Sequence, residues 1–169
     1  MGDANGPDVN ALAAHLAADD LPVRREAAER LARLGESAAP AAAALVRACG
    51  DADEQVREQA VAALEDLGPP PPAATGQLGD LVAHRDPLVA YWATTLLGRA
   101  GEDAATAVPV LVGCLESTVD LAVRQRAAWA LGKIGPAAAA ARDALARAAS
   151  AEDPRLARLA AEAIDALGG

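Results

Sequence analysis

Phenylalanine is absent from this 169-residue chain, and aromatic residues together make up only 2% of it. A conventional globular core draws much of its buried area from aromatic rings, so a core of that kind is excluded. Two cysteines, Cys49 and Cys114, are too few for a disulfide framework and fit a reducing compartment. The two histidines, His15 and His84, have no His or Cys at ligand spacing, which leaves no metal site to read. No apolar run approaches the roughly 20 residues that span a bilayer. The stretch Met1 to Pro7 has neither the basic nor the apolar region of a secretory signal. A Gly-rich phosphate loop and a nucleophile elbow are also missing. These absences set the expectation of a cytoplasmic protein that is not an enzyme, holds no cofactor or metal, and has no membrane partner.

What is present is small and aliphatic. Hydrophobic residues are 53% of the chain, mostly Ala, Leu and Val, a composition that favours closely packed helices. The formal net charge is −9 and is unevenly spread. Residues 1–68 carry thirteen acidic and six basic side chains, a balance of −7, whereas residues 69–169 carry eleven and nine, a balance of −2. An acidic chain repels phosphate backbones, which argues against nucleic acid as a partner.

Self-similarity organises the rest. Five segments align, Asp20 to Gly35, Asp53 to Gly68, Asp86 to Gly101, Asp120 to Gly135 and Asp153 to Gly168, at steps of 33, 33, 34 and 33 residues. Each Asp suits a helix N-cap and complements the helix dipole. Three residues on stands an apolar residue (Val23, Val56, Val89, Val123 or Leu156), seven on an alanine (Ala27, Ala60, Ala93, Ala127 or Ala160), and eleven on Leu31, Leu64, Leu97, Leu131 or Ile164. These offsets draw one helical stripe. Alanine within it lets neighbouring backbones approach, and the closing glycine suits a left-handed C′ position. A second helix precedes each of these, marked by Leu12, Leu45, Leu78, Leu111 and Leu145, with Pro7, Pro40, Pro72, Pro109 and Pro136 at its start or approach. The one extra residue lies between Leu111 and Asp120. The expected architecture is therefore all-α, a superhelix (solenoid) of five helical hairpins, each a helix A followed by a helix B. It forms a single domain, 1–169, with repeats at about 5–35, 36–68, 69–101, 102–135 and 136–169, more than the roughly three that a stack needs.

The Asp-x-x-Val-Arg opening at Asp20, Asp53 and Asp120 and the Leu-x-x-Leu/Ile-Gly close resemble HEAT repeats, in the short bacterial form also seen in phycobilisome-lyase-like proteins. The resemblance implies that B helices line a concave binding face. It also implies that Arg24, Arg57 and Arg124 pair with an Asp of a neighbouring repeat, an arrangement interrupted by Ala90 and Ala157. The paired His-Glu motifs of HEAT-repeat deoxyhypusine hydroxylases are missing. Repeat 3, with Pro69 to Pro72 and then Gly76 and Gly79 inside helix A, is expected to have a short or frayed helix, each interior glycine costing about 1 kcal/mol. Cys49 and Cys114, two repeats apart and so on the order of 20 Å from each other, are expected to be unbridged buried residues.

All the aromatic residues, Tyr91, Trp92 and Trp129, lie on B helices. Offsets 2, 6, 9 and 13 of a B helix form the face opposite the core stripe. That face reads Leu88, Trp92, Thr95, Arg99 in repeat 3, Ala122, Arg126, Trp129, Lys133 in repeat 4, and Arg155, Leu159, Glu162 in repeat 5. Trp and Arg are the residues most enriched in binding hot spots. The candidate partner-binding set is Leu88, Tyr91, Trp92, Thr95, Arg99, Arg126, Trp129, Lys133 and Leu159. The alternative is that one or both tryptophans fill space between helices. The functional expectation is a scaffold or adaptor binding a peptide or protein with apolar and acidic groups. The resemblance to phycobilisome lyases implies an alternative, a bilin-binding activity. A likeness to HEAT-like DNA glycosylases, which use groove tryptophans, is opposed by the acidic charge and by the lack of a carboxylate on the Trp92–Arg99 face.

Overall fold

The computed structural model describes residues 8–117 and 120–168, and all regular structure among them is helical. The chain divides into two compact units, Met1–Gly68 and Pro69–Gly169. Unit 1 holds two hairpins, α1 (Val9–His15) with α2 (Leu21–Ala32) and α3 (Ala42–Ala48) with α4 (Glu54–Asp66). Unit 2 holds three: α5 (Thr75–Leu81) with α6 (Pro87–Ala100), α7 (Val108–Glu116) with α8 (Leu121–Ile134), and α9 (Arg142–Ala148) with α10 (Pro154–Ala166). Five A–B hairpins in sequence order are the all-α solenoid class that the periodicity predicts. Residues 118 and 119, within the stretch that holds the extra residue, and Pro7 lie outside the described residues.

The caps explain where the B helices start. Asp53, Asp86, Asp120 and Asp153 each accept a backbone N–H from the first turn, at 2.7 to 3.1 Å. Asp20 sits at the same position without such a bond. The helix stops follow the glycines: Gly35, Gly101, Gly135 and Gly168 take positive φ between 52° and 79°. Gly68 does not. Its successor is Pro69, which disfavours helical backbone before it, and the chain leaves α4 extended, with Leu67 at ψ 128°.

Helix A is not one continuous α-helix. Tight 3₁₀ runs, Gly35–Ala41, Gly101–Ala107 and Gly135–Ala141, precede α3, α7 and α9. In repeat 3 the four prolines shorten this run to Pro72–Ala74. The shortening falls there and not on α5, which has the same seven residues as α1, α3 and α9.

The core is formed by the stripe together with the A-helix leucines, except that Val23 and Ile164, in the first and last repeats, are half-buried. Leu31, Leu45 and Leu64 in unit 1, and Leu78, Leu97, Leu111, Leu131, Leu145 and Leu156 in unit 2, are fully enclosed. The five offset-seven alanines are buried with them. Such small partners bring the B helices close, and α8 packs along both α6 and α10.

Arginine four residues after the cap has a different principal role from the one the resemblance implies. Arg24 does pair with Asp51 of the next repeat at 2.9 Å. It also donates to the carbonyls of Ala18 and Asp19, and Arg57 donates to those of Asp51 and Ala52 at matching positions. Arg124 donates to the Leu115 carbonyl. What recurs is a clasp on the A–B turn. Repeat 5 has Ala151 where repeat 2 has Asp51, so Arg124 meets no acid there.

A second cross-repeat rung uses the next residue. Arg25 holds Asp53 through two bonds, at 3.0 and 2.6 Å, and Gln125 donates to Asp153 at 2.9 Å. The Arg25 hydrogen bonds hold the Asp53 carboxyl at about 2, below its ordinary 3.8. A depressed folded pKa means that the stabilisation is present above about 3.8 and fades as pH falls through about 2. An NMR titration should give Asp53 a midpoint near 2 in the wild type and a value nearer 3.8 in Arg25→Ala, which, unlike a glutamine, leaves no side-chain donor for the carboxylate. A wild-type midpoint near 3.8 would show that the rung does not form in solution.

Candidate functional site

The B helices α6, α8 and α10 lie side by side in unit 2 and present one continuous face. Its centre is a stack. The Arg126 guanidinium carbon lies 4.8 Å from the Tyr91 ring centroid and 5.0 Å from that of Trp129, and Arg126 also donates to the Tyr91 hydroxyl. Cations over aromatic faces are attracted by the ring quadrupole. Three soft interactions thus fix one long side chain that would otherwise be mobile.

Glycine makes the stack possible. A Cβ at Gly98 of α6 would come within 2.2 Å of Trp129 Cζ3 and 2.8 Å of Cε3. The indole therefore lies directly on the backbone of the neighbouring helix. Gly132, at the matching position of α8, similarly admits Ala163 of α10, whose Cα would be 3.0 Å from an added Cβ.

The two tryptophans have different fates. Trp92 is only 7% exposed and packs edge-on to Tyr91, with Arg99 5.8 Å from its ring centroid. For Trp92 the space-filling alternative holds, and the same is true of Thr95, which is 4% exposed and donates to the Tyr91 carbonyl. Trp129 is half-buried, with Lys133 5.9 Å from its ring centroid. Leu88 is 37% exposed, Tyr91, Arg99, Arg126 and Leu159 are half-buried, and Lys133 is exposed. The accessible part of the predicted set is thus Tyr91, Arg126, Trp129, Lys133 and Leu159, with Leu88 and Arg99 at the α6 side.

Two open grooves flank the Trp129–Leu159 ridge. One, of about 370 Å³, is lined by Tyr91, Ala122, Gln125, Arg126, Trp129, Arg155 and Leu159. The other, of about 210 Å³, is lined by Ala128, Trp129, Gly132, Lys133, Leu159, Glu162, Ala163 and Ala166. Among the described residues no carboxylate forms an ion pair with Arg126, Lys133 or Arg155. Burial, and then repulsion from Arg126, holds the Arg99 guanidinium below its ordinary range, opposed in part by Tyr91. The two grooves are thus lined by Arg126, Arg155 and Lys133 against one acid, Glu162, on a chain of negative net charge.

Gly98, Gly132, Gln125 and Arg155 were outside the predicted set. The glycines did carry a signal: each sits inside a helix at offset twelve, where glycine is unfavourable unless a neighbour needs the room.

Elsewhere the chemistry is quiet. Cys49 and Cys114 are buried and form no disulfide, and burial pushes the Cys114 thiol up to about 11, away from nucleophilic use. His15 and His84 are exposed. Among the described residues no cluster of three or more His, Cys, Asp or Glu could hold a metal ion, and no helix is long and apolar enough to cross a membrane.

The family model described as HEAT repeats matches residues 75–168, more than half of the chain and all of the face just described. The chain belongs to the HEAT-repeat family. No curated protein matches this HEAT-repeat chain. Among solved structures it is similar to an engineered protein, target OR329 of the Northeast Structural Genomics Consortium, with 25% identity and a TM-score of 0.64 over 96% of this chain and 80% of that one. It is similar to a designed armadillo repeat protein in complex with the peptide (KR)4, at 19% identity and a TM-score of 0.68 over 94% and 81%, a likeness of fold. It is also similar to a chain in the complex of CpcE and CpcF of phycocyanin lyase from Nostoc sp. PCC7120, at 26% identity and a TM-score of 0.65 over 99% and 68%.

Proposed function

We propose that this HEAT-repeat chain is a non-catalytic scaffold or adaptor. It binds a peptide or protein segment with apolar and acidic groups on the B-helix face of α6, α8 and α10. The observation that carries this reading is the Arg126 stack: a guanidinium held between Tyr91 and Trp129, beside a groove and with no ion-paired carboxylate among the described residues. A cation already ordered in the free protein loses little side-chain entropy when a carboxylate arrives. Trp129 and Leu159 supply the apolar contact next to it. The face is taken to belong to one five-repeat domain, 1–169, because the repeat step is the same on either side of Gly68.

Affinity capture from native lysate on immobilised wild type and Trp129→Ala tests this reading. Loss of a hot-spot tryptophan should weaken a specific partner by about thirty-fold or more, so partners held by the wild type should disappear from the variant. An unchanged set of partners would remove the face from consideration.

The likeness to the phycocyanin lyase complex favours a second reading, a lyase-like protein that binds a bilin chromophore. An absorbance titration with a free bilin distinguishes the two. A saturable spectral shift supports the second reading, and a flat response ends it.

A further inference from the structure

The two grooves differ in chemistry, and the difference defines a ligand more narrowly than the scaffold reading on which it rests. The first groove carries two guanidinium groups, Arg126 and Arg155, with the Tyr91 ring as its wall, and the carboxylate beside it, Asp153, is engaged by Gln125 and by the α10 backbone as helix cap. The second has a floor of Ala128, Gly132, Ala163 and Ala166, walls of Trp129 and Leu159, and Lys133 and Glu162 at its rim. Glu162 is bonded to Arg158 at 2.7 Å. Glu162 is thus already paired, and the second groove is distinguished by its floor: an aliphatic side chain covers the small apolar groups of Gly132 and Ala163, which give a carboxylate no donor.

Spacing sets the register between them. From the first groove to the second, the lining residues advance by about five positions along both α8 and α10, roughly 7–8 Å at 1.5 Å per residue. Two residues of extended chain cover about 6.7 Å, and side chains at i and i+2 point the same way. We infer that this face recognises an extended peptide segment with an acidic and an aliphatic side chain two positions apart. The carboxylate lies between Arg126 and Arg155, and the aliphatic group lies on Gly132 and Ala163 beside Trp129. Arg126 and Arg155, both lining the first groove, repel a basic side chain there. Phosphates of nucleic acid suit the guanidinium groups but not the second groove, nor a chain of net charge −9.

The test is selection from a phage-displayed library of randomised ten-residue peptides on the whole chain, on Arg155→Glu and on Trp129→Ala, followed by anisotropy measurements on synthetic peptides. Arg155 is exposed, so its replacement leaves the packing intact. The wild type should enrich acid-x-aliphatic or aliphatic-x-acid sequences. Replacing Glu by Gln, or Leu by Ala, in a selected peptide should weaken binding about ten-fold. On Arg155→Glu the acidic preference should vanish or turn basic while the aliphatic position persists, an outcome that general loss of structure would not produce. Enrichment of another pattern, still abolished by Trp129→Ala, would overturn the motif and leave the face standing. No enrichment, enrichment indifferent to both substitutions, or binding of labelled duplex DNA at low salt in place of peptides would overturn the motif and the face together.

Discussion

Replacing Leu131 by Ala should lower the unfolding free energy by about 3–5 kcal/mol, in the upper part of the range for large-to-small core substitutions. Leu131 is fully buried in α8, the helix that packs against both α6 and α10. The penalty is the lost transfer energy plus the cavity left behind, and the cavity term depends on how far the surroundings collapse. Here they collapse poorly. Alanine dominates the buried positions of α8 and α10, with Ala127, Ala128, Ala130, Ala160 and Ala163 among them, and alanine has no side-chain torsion with which to reach into a void. Urea unfolding measures the change, with the m-value expected to hold. Leu121→Ala is the control: Leu121 is 42% exposed, and a change within about 0.5 kcal/mol is expected. A loss below about 1 kcal/mol at Leu131 would mean that the stripe is not the core of unit 2.

Gly98→Ala should change sign with its background. In the wild type the added methyl enters the Trp129 ring, an overpacking that costs about 1–3 kcal/mol and exceeds the roughly 1 kcal/mol that alanine gains over glycine in helix propensity. The variant is therefore destabilised, and Trp129 emission shifts to the red as the indole is pushed toward water. In Trp129→Ala the collision is gone, so the same substitution should stabilise by up to about 1 kcal/mol. The four proteins form a double-mutant cycle with a coupling of about 1–3 kcal/mol. Equal effects of Gly98→Ala in both backgrounds would show that the indole does not rest on α6.

The repeat phase was legible because each boundary has a local cause. Aspartate caps, glycine stops and the offsets of the stripe are properties of one helix and need no knowledge of its neighbours. The 3₁₀ runs were hidden, since a segment such as Gly35 to Ala41 has the composition of a helix start. The tryptophans show where single-helix reasoning ends. Trp92 and Arg126 share offset six, and Trp129 stands at offset nine of the same predicted face, yet the indole of Trp92 is buried while Arg126 and Trp129 stay half-exposed. What separates them is the side chains around each: Tyr91 and Arg99 close over Trp92, whereas Trp129 seats on Gly98 beside two grooves. The A–B turn clasp of Arg24 and Arg57 escaped for the opposite reason, because backbone carbonyls leave no mark in a sequence.

The chain has only two indoles, Trp92 and Trp129, so one ¹⁵N–¹H spectrum reports on both at once. Recorded with and without a peptide selected on the wild type, it tests most directly whether the α8–α10 grooves are the binding surface. The Trp129 indole and Arg126 Nε–H resonances should shift on saturation while the Trp92 indole holds its position. A shift confined to Trp92, or confined to residues of unit 1, would place binding elsewhere and contradict this prediction.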